Sequence, residues 1–150
     1  MVEANKASDT RPIVTITGIS GFLGSHVGLT LLKDGTFRVR GTVRSLKNAD
    51  KIEPLRKAYG DELFSKLELV EADLLDEESL KKAIQGSTHV LHTASPFVIE
   101  SPKDENVLIK PALEGTLSVM RACQEAKVRR VSVTSSVAAI HHKDTNNLPE

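Results

Sequence analysis

The sequence predicts an α/β fold built on a doubly wound parallel sheet with strand order 3-2-1-4-5, incomplete at its C-terminal edge. Two observations lead to this prediction. Short runs rich in β-branched residues alternate with amphipathic helical stretches, which is the pattern of parallel β-α-β units. A glycine-rich turn joins the first such run to the first helical stretch, and right-handed crossovers then determine the strand order.

The first half of the chain predicts three strands. They cover residues 13–17, 37–44 and 67–71. The helix after the first strand ends at Gly35, and a short helix over 53–59 has Pro54 in its first turn. Residues 1–12 are polar and end at a proline, so we expect a disordered tail there and a single domain over 13–150.

The second half continues the alternation. Asp76 is placed as the N-cap of a helix that ends at Gly86, and strands are predicted over 89–94 and 130–134. The longer helix between these strands, residues 111–126, has an apolar stripe at helical spacing: Leu113, Leu117, Met120 and Cys123. We interpret Cys123 as a core residue.

The predicted fifth strand lies at an edge of the sheet. Its apolar residues Val131 and Val133 would be uncovered there, and natural proteins cover or pair such edges. We therefore expect the sequence to be the N-terminal part of a longer chain, whose remainder covers the fifth strand.

Composition restricts the class of protein. Lys plus Arg and Asp plus Glu number 20 each, so the formal net charge is zero, whereas proteins that bind nucleic acid or anionic membranes usually carry a basic excess. The single cysteine suits a reducing compartment. No apolar run approaches the roughly 18 residues of a membrane span, and the polar N-terminus does not resemble a secretory signal. We expect a cytoplasmic protein that binds neither nucleic acid nor membrane, and no metal site.

The glycine-rich turn predicts a dinucleotide site and makes the domain Rossmann-type. Gly18, Gly21 and Gly24 form G-x-x-G-x-x-G between a strand and an amphipathic helix. Such glycines permit a tight turn, close approach of the pyrophosphate and close helix packing, and the helix N-terminus binds the anion. Ser20, Phe22 and Leu23 complete the candidate turn. The alternative is a purely structural strand–helix turn.

The end of the second strand favours NADP over NAD. An NAD site normally has an Asp or Glu there for the ribose 2′-hydroxyl, but this strand ends in Arg44 and no acid lies between Arg44 and Asp50. Arg44 offers a forked donor to a 2′-phosphate, with Lys47 or Lys51 as supporting charge. The alternative is an ordinary solvated arginine.

Several segments together resemble the extended short-chain dehydrogenase/reductase superfamily, and more narrowly its dihydroflavonol reductase and cinnamoyl-CoA reductase group. The resemblance covers the cofactor half of such enzymes, from Ile13 to about Ile140. It is carried by TGISGFLGSHV, GTVRS, VEADLLD, VLHTASPF, IKPALEGTLSVMRACQEAKVRRV and VTSS.

The resemblance implies roles for individual residues. Asp73 and Leu74 would lie against the adenine, although Asp73 has a plain alternative as a loop residue. The ribose and nicotinamide would be lined by Thr93, Ala94, Ser95 and Pro96. Ser136 would be the catalytic serine and Ser135 would help to line the cofactor, the alternative for both being a polar strand end. We interpret His92 as a packed core histidine.

The implied chemistry is hydride transfer between NADP(H) and a small carbonyl or alcohol substrate. The family's Tyr-x-x-x-Lys pair is not in this sequence, because the only tyrosine, Tyr59, is followed four residues later by Leu63. We therefore predict that these 150 residues alone are inactive. Two alternatives remain open: a non-catalytic dinucleotide-binding sensor or structural protein, and an enzyme of the sugar-nucleotide epimerase or hydroxysteroid dehydrogenase type.

Overall fold

The computed structural model describes residues 9–95 and 106–137, which form one parallel sheet with helices on both faces. The sheet order is β3-β2-β1-β4-β5 and every neighbouring pair is parallel, so the predicted fold class is confirmed. The elements are β1 Ile13–Thr17, α1 Phe22–Asp34, β2 Arg38–Val43, α2 Ala49–Phe64, β3 Glu68–Glu71, α3 Glu77–Ile84, β4 His89–His92, α4 Asn106–Glu125 and β5 Arg130–Val133.

The core lies in two clusters, one on each face of the sheet. Ile16 and Ile19 pack with Leu55 and Tyr59 on the side of α1 and α2. Leu80, Ile84 and Val90 pack with Val119 and Cys123 on the side of α3 and α4. Helices cover both faces of a central parallel strand, and β1 accordingly has four of its five residues buried.

The helix α2 begins earlier than its sequence predicts. It starts at Ala49, so Pro54 lies inside the helix and not in its first turn. The N–H of Ile52 already donates to the carbonyl of Asn48 at 3.2 Å, so the helix has begun before Pro54. Pro54 has no N–H and therefore leaves out one hydrogen bond of the helix. The predicted end at Tyr59 coincides with a kink, because Gly60 has φ 71° and ψ 158°.

The helix α4 also begins earlier, at Asn106, and the predicted apolar stripe is wrong. Leu113, Leu117 and Met120 are between 41% and 55% exposed, and only Cys123 of that stripe is buried. The buried face is made of small residues, because α4 packs closely against α3 and the loop before it. A Cβ at Gly115 would lie 3.0 Å from the Leu74 Cβ, so this spacing leaves little room for larger side chains.

Three other expectations concern the ends and caps. The carboxylate of Asp76 accepts the N–H of Ser79, which confirms the predicted N-cap. β5 lies at the edge of the sheet, and Val133 on it is 46% exposed. Of the predicted tail, residues 1–8 lie outside the described residues, while the Arg11 guanidinium donates to the carbonyl of Gly35 at 2.9 Å.

The described helices include none with the length and apolar character that a membrane span requires.

Candidate functional site

A cavity of about 760 Å³ opens where the loops after β1, β2, β3 and β4 meet. This is the carboxyl edge of the sheet at the point where the strand order reverses, where open α/β sheets bind ligands. The volume falls within the roughly 300–1,000 Å³ of small-molecule sites. The described lining residues are Gly18, Ser20, Gly21, Phe22, Thr42, Val43, Arg44, Lys51, Ala72, Asp73, Leu74, Leu75, Leu80, Thr93, Ala94, Ser95 and Pro111.

The first glycine of the turn is required by its backbone conformation and by its neighbour. Gly18 has φ +71°, in the left-handed region that side chains with a Cβ rarely adopt. A Cβ there would also lie 3.0 Å from the Cα of Ala94. The N–H of Gly21 donates to the carbonyl of Gly18 at 2.9 Å and closes the turn.

The third glycine brings α1 against that turn. A Cβ at Gly24 would lie 2.5 Å from the carbonyl oxygen of Gly18 and 2.9 Å from Oγ1 of Thr93. The N-cap Gly21 has no side chain to cap the helix, and the first turn contains no acidic residue. The positive end of α1 therefore borders the cavity at Gly21 and Phe22. Leu23 and Gly24 do not themselves line the cavity among the described residues.

Thr42 on β2 anchors the turn, a role that was not predicted from the sequence. Its Oγ1 accepts the N–H of Gly18 and its carbonyl accepts the N–H of Ile19, both at 3.2 Å. The Ile19 side chain packs on the neighbouring Gly41, where a Cβ would lie 2.7 Å from the Ile19 Cβ. The available signal was a glycine followed by a threonine near the end of β2, whose sequence is RVRGTV.

Cations border the cavity after β2. Arg44 follows the strand, Lys51 lies in the first turn of α2, and both side chains are exposed. A smaller cleft of about 220 Å³ shares Ser20 and Lys51 with the cavity and is also bordered by Asp50. The structure brings one acid to the loop after β2, because the Glu71 carboxylate accepts the N–H of Leu46 at 2.7 Å. Glu71 does not line the cavity among the described residues.

The wall after β3 is formed by a loop that its own side chains stabilise. Oδ1 of Asp73 accepts the N–H of Leu75 at 2.9 Å, and the N–H of Asp73 donates to Oγ of Ser79 at 3.0 Å. Asp73 and Leu74 both line the cavity. Asp73 thus stabilises its loop and is also exposed to the cavity.

The wall after β4 is tied to β1 through buried polar atoms. Oγ1 of Thr93 donates to the carbonyl of Thr17 at 2.6 Å, and the N–H of Ala94 donates to Oγ1 of Thr17 at 3.3 Å. Oγ1 of Thr17 also lies 2.7 Å from Nδ1 of His92. His92 is only 4% exposed, which confirms that it is packed, and burial lowers its pKa and favours the neutral ring.

The two candidate serines lie at the same edge of the sheet but outside the cavity wall. Ser135 and Ser136 follow β5 and are exposed. The N–H of Thr134 donates to the carbonyl of His92 at 3.0 Å, so the segments after β4 and β5 begin side by side. Pro96, the remaining candidate, lies outside the described residues.

Two other residues with reactive side chains are buried away from the cavity. Burial raises the pKa of the Cys123 thiol to about 11, which agrees with its interpretation as a core residue. Burial likewise raises the pKa of Tyr59 to about 12, and its hydroxyl donates to the carbonyl of Ser25 at 2.6 Å. Neither residue lines the cavity.

Comparison with known proteins places this geometry among nucleotide-dependent enzymes. Residues 14–149 match the model of the NAD dependent epimerase/dehydratase family. The chain is 43% identical over 129 residues to a dihydroflavonol 4-reductase of Hordeum vulgare, covering 85% of this chain and 36% of the relative. It is also 43% identical over 138 residues to cinnamoyl-CoA reductase 1 of Petunia hybrida, covering 92% of this chain and 39% of the relative.

Among solved structures, the chain resembles yeast methylglyoxal/isovaleraldehyde reductase complexed with NADPH. The TM-score is 0.70 at 30% sequence identity, and the match covers 85% of this chain and 38% of the yeast protein. The chain therefore spans less than two fifths of the length of these three proteins.

Proposed function

The chain belongs to the NAD dependent epimerase/dehydratase family and has reductases among its relatives, and on that premise we propose that it is the cofactor-binding part of an NADP(H)-dependent reductase. The full protein would act on a carbonyl or hydroxyl group of a small molecule. The observation that carries the proposal is the cavity itself, in which a glycine turn and the cations Arg44 and Lys51 border one space at the carboxyl edge of the sheet.

The cation pair supports NADP over NAD. A 2′-phosphate is a compact anion with several acceptor oxygens, which a guanidinium binds through paired N–H donors and an ammonium binds as a point charge. An NAD site would instead use a carboxylate at the end of β2 for the ribose hydroxyls. Glu71, which pairs in register with Val43 at the end of β2, binds a backbone N–H and does not line the described cavity. The similarity to an NADPH-bound reductase adds support.

Residues in the cavity wall and beside it would bind the remainder of the cofactor. The turn at Gly18, Gly21 and Gly24, with Ser20, Phe22 and Leu23, would bind the pyrophosphate at the N-terminus of α1. Asp73 and Leu74 would contact the adenine. The ribose and nicotinamide would be lined by Thr93, Ala94, Ser95, Pro96 and Ser135. When bound, NADPH supplies the hydride, and the protein orients it and handles the proton.

Ser136 would donate a hydrogen bond to the substrate oxygen, on which negative charge develops as the hydride arrives. A proton donor is also needed, and Tyr59 does not suit this role. A catalytic tyrosine needs a lowered pKa, whereas burial raises that of Tyr59 to about 12 and its hydroxyl is directed to the carbonyl of Ser25. We therefore propose that the 150 residues bind cofactor without turnover, and that the proton donor and most of the substrate pocket belong to the rest of the full-length protein.

The same proposal places the protein in the cytoplasm. The basis is the single cysteine, which suits a reducing compartment.

Calorimetric titration with NADP⁺ and NAD⁺ tests the proposal. The wild-type chain should bind NADP⁺ at least about tenfold more tightly, and Arg44→Glu should abolish that preference, since a hydrogen bond to a charged group contributes about 1.5–3 kcal/mol. Arg56→Glu is the matched control, because Arg56 is an exposed arginine on α2 that does not line the cavity. A wild-type preference for NAD⁺, or an unchanged preference in Arg44→Glu, would contradict the NADP assignment.

A further inference from the structure

The loop between β2 and α2, residues 44–48, is held by a carboxylate from a different strand. Oε1 of Glu71 accepts the N–H of Leu46 at 2.7 Å. Glu71 is the last residue of β3 and pairs in register with Val43, the last residue of β2. The N–H of Ala72 then donates to the carbonyl of Val43 at 2.9 Å, so the backbone that carries Glu71 is fixed relative to the start of the loop.

The other described hydrogen bonds of this loop are local. The N–H of Lys47 donates to Oγ of Ser45 at 3.2 Å, and the N–H of Asn48 donates to the carbonyl of Ser45 at 3.3 Å. Arg44, Leu46 and Lys47 are exposed, so packing contributes little to the position of the loop. The bond from Leu46 to Glu71 is therefore the described hydrogen bond that ties the loop to the sheet.

The position of this loop matters because it begins with Arg44, which borders the cavity, and leads into the first turn of α2, which carries Lys51. A flexible loop would have to be ordered each time a phosphate bound, and that conformational entropy opposes binding. A loop that is already held avoids most of this loss.

The charge of Glu71 acts in the opposite direction. A carboxylate close to a bound 2′-phosphate repels it, although solvent and salt screen charges at an exposed position. The hydrogen bond and the charge thus make opposite predictions for the effect of Glu71 on NADP⁺ affinity, and a suitable pair of variants separates them.

We propose that Glu71 is a positioning residue for NADP(H): by accepting the N–H of Leu46, it holds the loop so that Arg44 and Lys51 are arranged for the 2′-phosphate. This inference rests on the proposed function. The Glu71 carboxylate acts through the loop and makes no contact with the cofactor.

Glu71→Gln and Glu71→Met form a matched pair, because both remove the charge and only glutamine keeps an acceptor oxygen at similar reach. Calorimetry with NADP⁺ and NAD⁺ should show that Glu71→Met weakens NADP⁺ binding about fivefold relative to Glu71→Gln. This is the size of effect expected for one hydrogen bond to a neutral amide oxygen. NAD⁺ binding should differ less than about twofold between them. Glu62→Met, at the far end of α2 where Glu62 binds Lys66, controls for the substitution itself.

A second measurement keeps the test independent of stability. Hydrogen exchange of the Leu46 amide should be faster in Glu71→Met than in Glu71→Gln while both proteins remain folded. Equal NADP⁺ affinity in the two variants overturns the inference, and so does an equal loss for both cofactors, which indicates a general structural role. If the wild type shows no NADP⁺ preference, or if Arg44→Glu keeps it, the proposed function itself fails and the inference fails with it.

Discussion

Oγ1 of Thr17 and Nδ1 of His92 lie 2.7 Å apart in the interior of the sheet. Thr17 ends β1 and His92 ends β4, and their neighbours Gly18, Thr93 and Ala94 line the cavity. Oγ1 of Thr17 also accepts the N–H of Ala94, and the tautomer of the neutral imidazole decides which of Thr17 and His92 donates to the other. This buried contact therefore joins the two strands at the point where their loops diverge around the cavity.

Replacing Thr17 by valine should destabilise the protein and weaken cofactor binding. The side chain keeps its volume, but buried His92 and the Ala94 N–H lose their partner, at about 1–3 kcal/mol in the free energy of unfolding. Urea unfolding and calorimetric titration with NADP⁺ measure the two effects. Thr30→Val is the control, because Thr30 lies on the exposed face of α1 and its hydroxyl donates to the carbonyl of His26 on the same helix. Equal stability of the two variants would show that the buried contact contributes little.

Acidification should destabilise the protein through His92. Burial lowers the pKa of His92 in the folded state, so between that pKa and the usual value of about 6.5 the unfolded chain binds more protons. The contribution to stability is complete above pH of about 6.5 and is lost as the pH falls through the lowered pKa. Unfolding free energies measured over this interval should lose part of their pH dependence in His92→Gln. His26→Gln, which changes an exposed histidine, should retain it.

Gly24→Ala should impair the candidate pyrophosphate site. The new methyl group would lie 2.5 Å from the carbonyl oxygen of Gly18, and backbone at this distance must move. We expect overpacking to lower the free energy of unfolding by about 1–3 kcal/mol. The binding of NADP⁺ and of NAD⁺ should both weaken by about tenfold or more. The parallel loss distinguishes this variant from Arg44→Glu, which should act on NADP⁺ selectively. Thr30→Ala on the same helix should bind both cofactors as the wild type does.

The 150 residues alone should not consume NADPH in the presence of a carbonyl substrate. They contain no Tyr-x-x-x-Lys pair, and Tyr59 is buried against α1. The absorbance of the dihydronicotinamide should stay constant with a dihydroflavonol or a cinnamoyl thioester, while calorimetry still detects NADP⁺ binding. Sustained oxidation of NADPH would contradict this prediction. A longer chain that binds NADP⁺ without turnover of any carbonyl would instead favour the non-catalytic alternative.

The fold class and much of the cavity wall followed from local patterns in the sequence. Alternating β-branched runs and amphipathic stretches specify a parallel sheet, and right-handed crossovers leave few strand orders. The glycine turn, Arg44, Asp73 and the segment after β4 all lie at strand ends, and the carboxyl ends of parallel strands share one edge. The glycine turn and Arg44 were predicted as site residues from their place at strand ends, whereas Asp73 and the segment after β4 were identified through the family resemblance. All of these segments border the cavity.

Contacts between distant residues were decided only by the tertiary structure. Glu71 and Leu46 are 25 positions apart, and Thr17 and His92 are 75 apart, so no local pattern indicates that they are hydrogen-bonded. The buried face of α4 was predicted incorrectly for a related reason. Hydrophobicity identifies which residues favour burial. The side chain of Leu74, however, leaves so little space beside α4 that the helix turns a face of small residues, including Gly115, towards it. Periodicity determined the elements and their order, and packing between elements determined which side chains meet.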